Sequence, residues 1–84
     1  MSRIDFKLLA TRVKEKEMTF KNLEERTNLS RSTLHNIVRG KSEPTYTVAR
    51  LIIDALALPP EDIIAIFFHM LNQKRRLYYE YTTQ

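Results

Sequence analysis

Apolar residues recur at helical spacing in five stretches of the chain, and the spacing predicts five helices and no strands. The first runs from about Asp5 to Lys16, with an apolar face that includes Leu9 and Val13. Two short helices follow between residues 19 and 40. The fourth, with Thr45 as its N-cap, runs to Ala57, and the fifth begins at Pro60 and continues to about residue 81. We therefore predict one all-α domain over residues 1–84.

The segment 19–40 has a suitable residue at each end of its two short helices. Thr19 and Ser30 stand where N-caps are needed. Asn28 tolerates the left-handed backbone of a tight turn between the helices, and Gly40, the only glycine, suits the position after the second helix. The segment is typical of a DNA-binding helix-turn-helix.

The second of these short helices is expected to bury one face and expose a polar one. Leu34, Ile37 and Val38 form the predicted buried stripe. The residues that project away from it can all make hydrogen bonds: Arg31, Ser32, His35, Asn36 and Arg39.

These residues resemble the Cro/C1-type helix-turn-helix family, also called the XRE family, which includes the lambdoid repressors. The match covers roughly residues 5 to 67: Thr19 to Glu24 corresponds to the family's opening, Ser30 to Gly40 to its recognition helix, and Ala55-Leu56-Ala57-Leu58 to its ending. The resemblance implies a five-helix, lambda repressor-like fold that binds double-stranded DNA. It implies base contacts from Arg31, Ser32, Thr33, His35 and Asn36. The implied phosphate contacts are Thr19, Lys21, Arg39, Lys41, Ser42 and Thr45.

Four positions depart from the family pattern. Phe20 replaces a glutamine that usually contacts a phosphate, and Glu24 replaces a small alanine. Asn28 replaces the glycine of the turn, and Val38 replaces a glutamate that precedes Arg-Gly. The changes at positions 20 and 24 favour an alternative, a helix-turn-helix protein-interaction module of antirepressor or antitoxin type that binds a partner protein through the C-terminal helix.

The fifth helix has more apolar residues than one buried face requires. One row contains Ile63, Phe67 and Met70 and can cover the core. A second row is left over, and with the outer part of helix four it predicts a homodimer interface. The residues assigned to that interface are Ile64, Phe68, Leu71, Tyr78 and Leu51. The alternative is that the second row folds back over the core. A dimeric repressor would recognise a palindromic operator, with one recognition helix in each of two successive major grooves.

Charge and composition narrow the function further. The formal net charge is +4 and the sequence pI is about 9.6, which is compatible with a polyanionic partner. The basic run Lys74-Arg75-Arg76 is interpreted as a solvated helix end or a further DNA contact. There is no cysteine, so no disulfide or thiolate metal site forms.

We expect neither an enzyme nor a membrane protein. The histidines are His35 on an exposed face and His69, expected to be partly buried, and no nucleophile or metal-ligand spacing accompanies them. No catalytic residue, metal or cofactor is predicted. The apolar run from Ile63 to Phe68 is far shorter than a membrane span, and no signal peptide is evident. The predicted location is the cytoplasm, at the nucleoid.

Overall fold

A computed structural model of the protein describes residues 4–70. Within that range the protein is helical and has no strand, which confirms the predicted fold class. The helices are α1 (Phe6–Glu15), α2 (Phe20–Thr27), α3 (Arg31–Val38), α4 (Tyr46–Leu56) and α5 (60–70). None of the helices among residues 4–70 combines the length and the apolar character that crossing a bilayer requires.

The same local device begins each of the first four helices. A side-chain oxygen of the N-cap residue accepts the backbone N–H three residues later, which satisfies one of the donors that a helix start leaves unpaired. The pairs are Asp5 with Leu8, Thr19 with Asn22, Ser30 with Thr33 and Thr45 with Val48. The N-caps predicted at Thr19, Ser30 and Thr45 are confirmed.

The turn between α2 and α3 depends on Thr27 as well as on Asn28. Asn28 has φ of 61° and ψ of 23°, the left-handed conformation that its residue type predicts. The buried Thr27 hydroxyl donates to the Leu23 carbonyl at 2.6 Å and accepts the Leu29 N–H at 3.2 Å. One side chain therefore satisfies polar groups on both sides of the turn.

Gly40 ends α3 in the conformation expected from the sequence. Its φ is 76°, its N–H donates to the Ile37 carbonyl at 3.0 Å, and the Lys41 N–H donates to the Asn36 carbonyl at 2.8 Å. These two bonds form a Schellman motif. A Cβ at position 40 would lie 3.3 Å from the Phe6 ring, so a second constraint favours glycine there.

The core lies where α1 to α4 meet α5. The largest fully buried side chains are Leu9, Leu23, Leu34, Ile52, Leu56, Ile66 and Phe67. Ile66, which was not assigned to the buried row, is therefore a core residue, whereas Val38 is only half-buried. Most of the predicted stripes are confirmed, although Ile63, assigned to the buried row of helix five, is half-buried like Val38.

Contacts with the beginning of the chain fix α5. The Asp5 N–H donates to the Ile66 carbonyl at 2.9 Å, and Arg12 Nε lies 3.1 Å from Asp62 Oδ2. This ion pair joins α1 to α5, and the hydrogen bond to Asp62 raises the pKa of the Arg12 guanidinium above its ordinary value. Pro60 lies in the first turn of α5, as predicted.

The two apolar rows of α5 differ in exposure. Phe67 and Met70 are buried, whereas Ile64 is 56% exposed and Phe68 is 50% exposed. We call Ile64 and Phe68 the α5 apolar face. His69 is exposed, and its ring centroid lies 5.4 Å from that of Phe68, so the expectation of a partly buried His69 was wrong. It follows Phe68 on the outer side of the helix, away from the core.

Several predictions concern positions outside residues 4–70. They are the extension of helix five to residue 81, the interface residues Leu71 and Tyr78, and the basic run Lys74-Arg75-Arg76.

Candidate nucleic-acid interface

The exposed side of α3 is polar because the apolar residues of this helix are buried in the core. Leu34 and Ile37 are almost completely buried against the other helices. At about 100° per residue, Ser32, Asn36 and Arg39 fall within about 60° of one another on the opposite side. Ser32 and Arg39 are exposed and Asn36 is half-buried. We call these three residues the outer face of α3.

Asn36 is held in place through its backbone. Its carbonyl accepts the N–H of Lys41 at 2.8 Å and the N–H of Ser42 at 3.3 Å. The loop after α3 is therefore joined to the same residue whose side chain lies on the outer face. Arg39 and Lys41, both exposed, lie beside this junction at the negative end of the helix.

One flank of α3 faces α2 and makes two side-chain contacts with it. Arg31 Nε lies 3.3 Å from Glu24 Oε1, and the ring centroids of His35 and Phe20 are 5.4 Å apart at an angle of 49°. Arg31 and His35 are four residues apart, as are Phe20 and Glu24, so each helix presents two successive positions to the other. We call these contacts the two cross-helix pairs.

The cross-helix pairs involve two of the positions at which the sequence departs from its family pattern. Phe20 and Glu24 each contact a side chain to which a base contact was assigned. Sequence reasoning noted both substitutions but did not find their partners. The available signal was the pair of i, i+4 spacings with complementary chemistry on two consecutive helices.

Thr33 and Thr19 are exposed but take part in capping networks. The Ser30 hydroxyl donates to Thr33 Oγ1 at 2.9 Å. The Thr19 hydroxyl and its backbone N–H both donate to Asn22 Oδ1, at 2.8 and 3.1 Å. The Thr19 donors are thus occupied by the cap, and a phosphate would have to compete with Asn22 for them.

The other residues to which a phosphate contact was assigned lie on α2, in the loop after α3 and at the start of α4. Lys21 is exposed in the first turn of α2 and is the next residue after Phe20, whose ring contacts His35. Ser42 is joined to α3 through its N–H, which leaves its hydroxyl for other partners. Thr45 is exposed at the start of α4, where its hydroxyl oxygen caps the helix.

The described residues around the outer face of α3 offer hydrogen-bond donors and positive charge. Within residues 4–70, no three histidine, aspartate or glutamate side chains form a group that could hold a metal ion. Hollows of about 450 and 440 Å³ lie on either side of α5. Their lining residues do not include any from α3, so neither hollow belongs to the polar face.

A family model described as helix-turn-helix matches residues 9–63, which include α2, the turn, α3 and α4 in full. This match covers more than half of the chain. The chain belongs to the Cro/C1-type helix-turn-helix family. Neither a curated protein nor a solved structure shows a significant match to the chain.

The Cro/C1-type family is a family of DNA-binding domains and not a family of enzymes. Membership therefore identifies the chain as a regulator that binds double-stranded DNA. The helix-turn-helix is the part of the family that recognises DNA, and here it consists of α2, the turn at Asn28 and α3. In helix-turn-helix proteins the second helix lies in the major groove. The outer face of α3 is therefore the candidate interface.

Proposed function

We propose that the protein is a dimeric transcriptional repressor that recognises a palindromic operator through α3 in the major groove. The observation that carries this proposal is the outer face of α3, which is polar, lies on the recognition helix of a helix-turn-helix, includes the exposed Arg39 and is followed by the exposed Lys41. A protein of this kind acts where the DNA is, so we expect it at the nucleoid in the cytoplasm.

Base recognition is assigned to the start and middle of α3. Arg31 can donate to O6 and N7 of guanine, and Asn36 can pair with N6 and N7 of adenine. Ser32 is at the centre of the outer face and can reach a base or a phosphate. Thr33 and His35 are secondary contacts in this proposal, because one belongs to a cap network and the other packs against Phe20.

Phosphate contacts set the position of α3 in the groove. Lys21 on α2 and Lys41 after α3 are exposed cations, and Arg39 is the exposed cation of the outer face itself. Ser42 and Thr45 can add hydroxyl donors. Thr19 would contribute through the N-terminus of α2 rather than through its hydroxyl, which bonds to Asn22. These contacts carry no sequence preference and weaken steeply with salt.

Dimerisation is assigned to the α5 apolar face. Ile64 and Phe68 line the hollow of about 440 Å³, together with Ile4. Exposed apolar side chains around such a hollow are suited to contact with a second copy of the chain. Leu51 on α4 is half-buried and can extend the interface. The interface also includes Leu71 and Tyr78 in this proposal, although both lie outside residues 4–70.

The proposal is tested by selecting bound duplexes from a random DNA pool at physiological salt. The unmodified protein is compared with an Arg31→Ala, Asn36→Ala double variant and with Lys7→Ala, which removes one exposed positive charge from α1. We expect a palindromic motif from the unmodified protein and from Lys7→Ala. The double variant should lose operator affinity by about 30-fold or more, because each of the two bidentate pairs contributes about 1 to 3 kcal/mol.

A second candidate is the protein-interaction module that binds a partner through the C-terminal helix. The exposed Ile64 and Phe68 favour it, since the same apolar face would suit another protein. If none of the three proteins yields a motif and all retain DNA weakly and equally, this second function replaces the first.

A further inference from the structure

The Glu24–Arg31 contact joins a carboxylate on α2 to the first residue of the recognition helix. Arg31 Nε is 3.3 Å from Glu24 Oε1, and the Arg31 side chain is 62% exposed while that of Glu24 is 32% exposed. An ion pair this exposed contributes little to folding stability. We therefore consider how the contact changes the groups that the Arg31 guanidinium can bind.

The atoms involved leave one edge of the guanidinium open. An arginine side chain has five N–H donors in a fixed planar arrangement, and the carboxylate approaches the Nε side. The two terminal nitrogens, Nη1 and Nη2, can then face the groove together. Two parallel donors are the arrangement that O6 and N7 of guanine accept.

The negative charge of Glu24 also decides against a phosphate partner for Arg31. A phosphate that approached the guanidinium would come close to the carboxylate, and like charges repel strongly where water is excluded. A guanine edge carries no formal charge and avoids most of this repulsion. Glu24 thus weakens binding to any DNA while it directs Arg31 toward a base.

We propose that Glu24 is a positioning residue that sets the preference for guanine at the base contacted by Arg31. The inference rests on the proposed operator recognition and assigns a role to a residue of α2 that lies outside the assigned base and phosphate contacts. Glu24 acts through Arg31, since it holds the guanidinium in the orientation that the base requires and so lowers the ordering cost of binding.

The test compares Glu24→Gln with Glu25→Gln. Both variants remove one negative charge from α2, and Glu25 is an exposed neighbour of Glu24, so the second is a charge-matched control. An Arg31→Ala selection first identifies the operator base whose preference depends on Arg31. Dissociation constants are then measured for the operator, for the operator with that guanine replaced, and for an unrelated duplex.

We expect Glu24→Gln to bind the unrelated duplex more tightly and to lose about tenfold in discrimination between the two operators, within the range for one bidentate contact. Glu25→Gln should strengthen binding to all three duplexes alike and leave discrimination unchanged. Both variants should melt at the temperature of the unmodified protein, which separates positioning from stability.

Two results would overturn the inference while leaving operator recognition intact. In the first, Glu24→Gln and Glu25→Gln discriminate equally well. In the second, Glu24→Gln keeps the guanine preference but loses a cytosine elsewhere in the motif, which would make Glu24 a direct acceptor from cytosine N4. Failure of the proposed function itself looks different, because the unmodified protein would then select no motif.

Discussion

The α2–α3 unit is held together by residues close in sequence, whereas α5 is held by groups near the beginning of the chain. In the unit, Thr19 and Ser30 cap helices that begin at the next residue, and Gly40 closes α3 two residues after it ends. In α5, the Ile66 carbonyl accepts the Asp5 N–H, and Asp62 pairs with Arg12. The helix boundaries of the unit therefore follow from local signals, whereas the position of α5 depends on contacts with distant residues.

The exposed surfaces of these two regions also differ in chemistry. The outer face of α3 can make hydrogen bonds along its length, whereas the α5 apolar face offers the side chains of Ile64 and Phe68. The first suits a polyanion with polar base edges and the second suits another apolar surface. Substitutions on the outer face of α3 should leave self-association unchanged, whereas substitutions in the α5 apolar face should weaken operator binding because they remove the dimer.

The largest expected effect separates the buried and exposed sides of α5. Phe67→Ala should lower the free energy of unfolding by about 3 to 5 kcal/mol, because Phe67 is completely buried. Phe68→Ala makes the same substitution at a half-exposed neighbour and should cost much less. Urea denaturation of both variants measures the difference, and equal losses would mean that α5 packs with a different face inward.

The next effect concerns self-association. Phe68→Lys should raise the dimer dissociation constant by about 10- to 100-fold, because Phe68 is half-exposed and burying the remaining half contributes roughly 0.8 to 1.5 kcal/mol in each of the two copies. Analytical ultracentrifugation measures it, with circular dichroism as the check on folding. Tyr46→Lys alters another exposed aromatic residue away from the α5 apolar face and should associate normally. An unmodified protein that stays monomeric at every concentration would remove the proposed interface.

A smaller effect is expected at the end of the recognition helix. Gly40→Ala should cost about 1 to 2 kcal/mol of stability, because an L-residue is strained at positive φ. The added Cβ would also press against the Phe6 ring at 3.3 Å. Thermal melting provides the measurement, and a variant as stable as the unmodified protein would show that the Schellman ending is not required.

The smallest effect is expected at the turn. Asn28→Gly should change the free energy of unfolding by no more than about 0.5 kcal/mol, because glycine adopts the left-handed conformation readily but loses more entropy on folding. Equilibrium denaturation beside Gly40→Ala gives a direct comparison. A large loss at position 28 would indicate a role for the Asn28 side chain beyond its backbone conformation.

The sequence predicted the parts of the fold that depend on neighbours along the chain. The caps at Thr19, Ser30 and Thr45 and the positive φ at Asn28 and Gly40 follow from residue type and position. Such features need no knowledge of distant contacts, and all five were correctly placed. The family pattern at residues 9–63 was equally visible because it consists of these same local features.

The features that the sequence did not predict depend on how the helices are arranged. Ile66 is buried because α5 lies against the beginning of the chain, and periodicity alone could not select it over Ile63. The Arg12–Asp62 pair joins residues whose relative position is set only after α1 and α5 have packed. The cross-helix pairs likewise required the angle between α2 and α3.

The two cross-helix pairs have a consequence for redesigning operator preference. A recognition helix is commonly regarded as an exchangeable part, to be replaced while the scaffold stays constant. Here Arg31 contacts Glu24 and His35 contacts Phe20. An α3 grafted from another protein would pack against this carboxylate and this aromatic ring, which match the original α3 and not the new one. The smallest transferable unit is α3 together with positions 20 and 24, and grafts that carry all of these residues should retain the donor's specificity better than grafts of α3 alone.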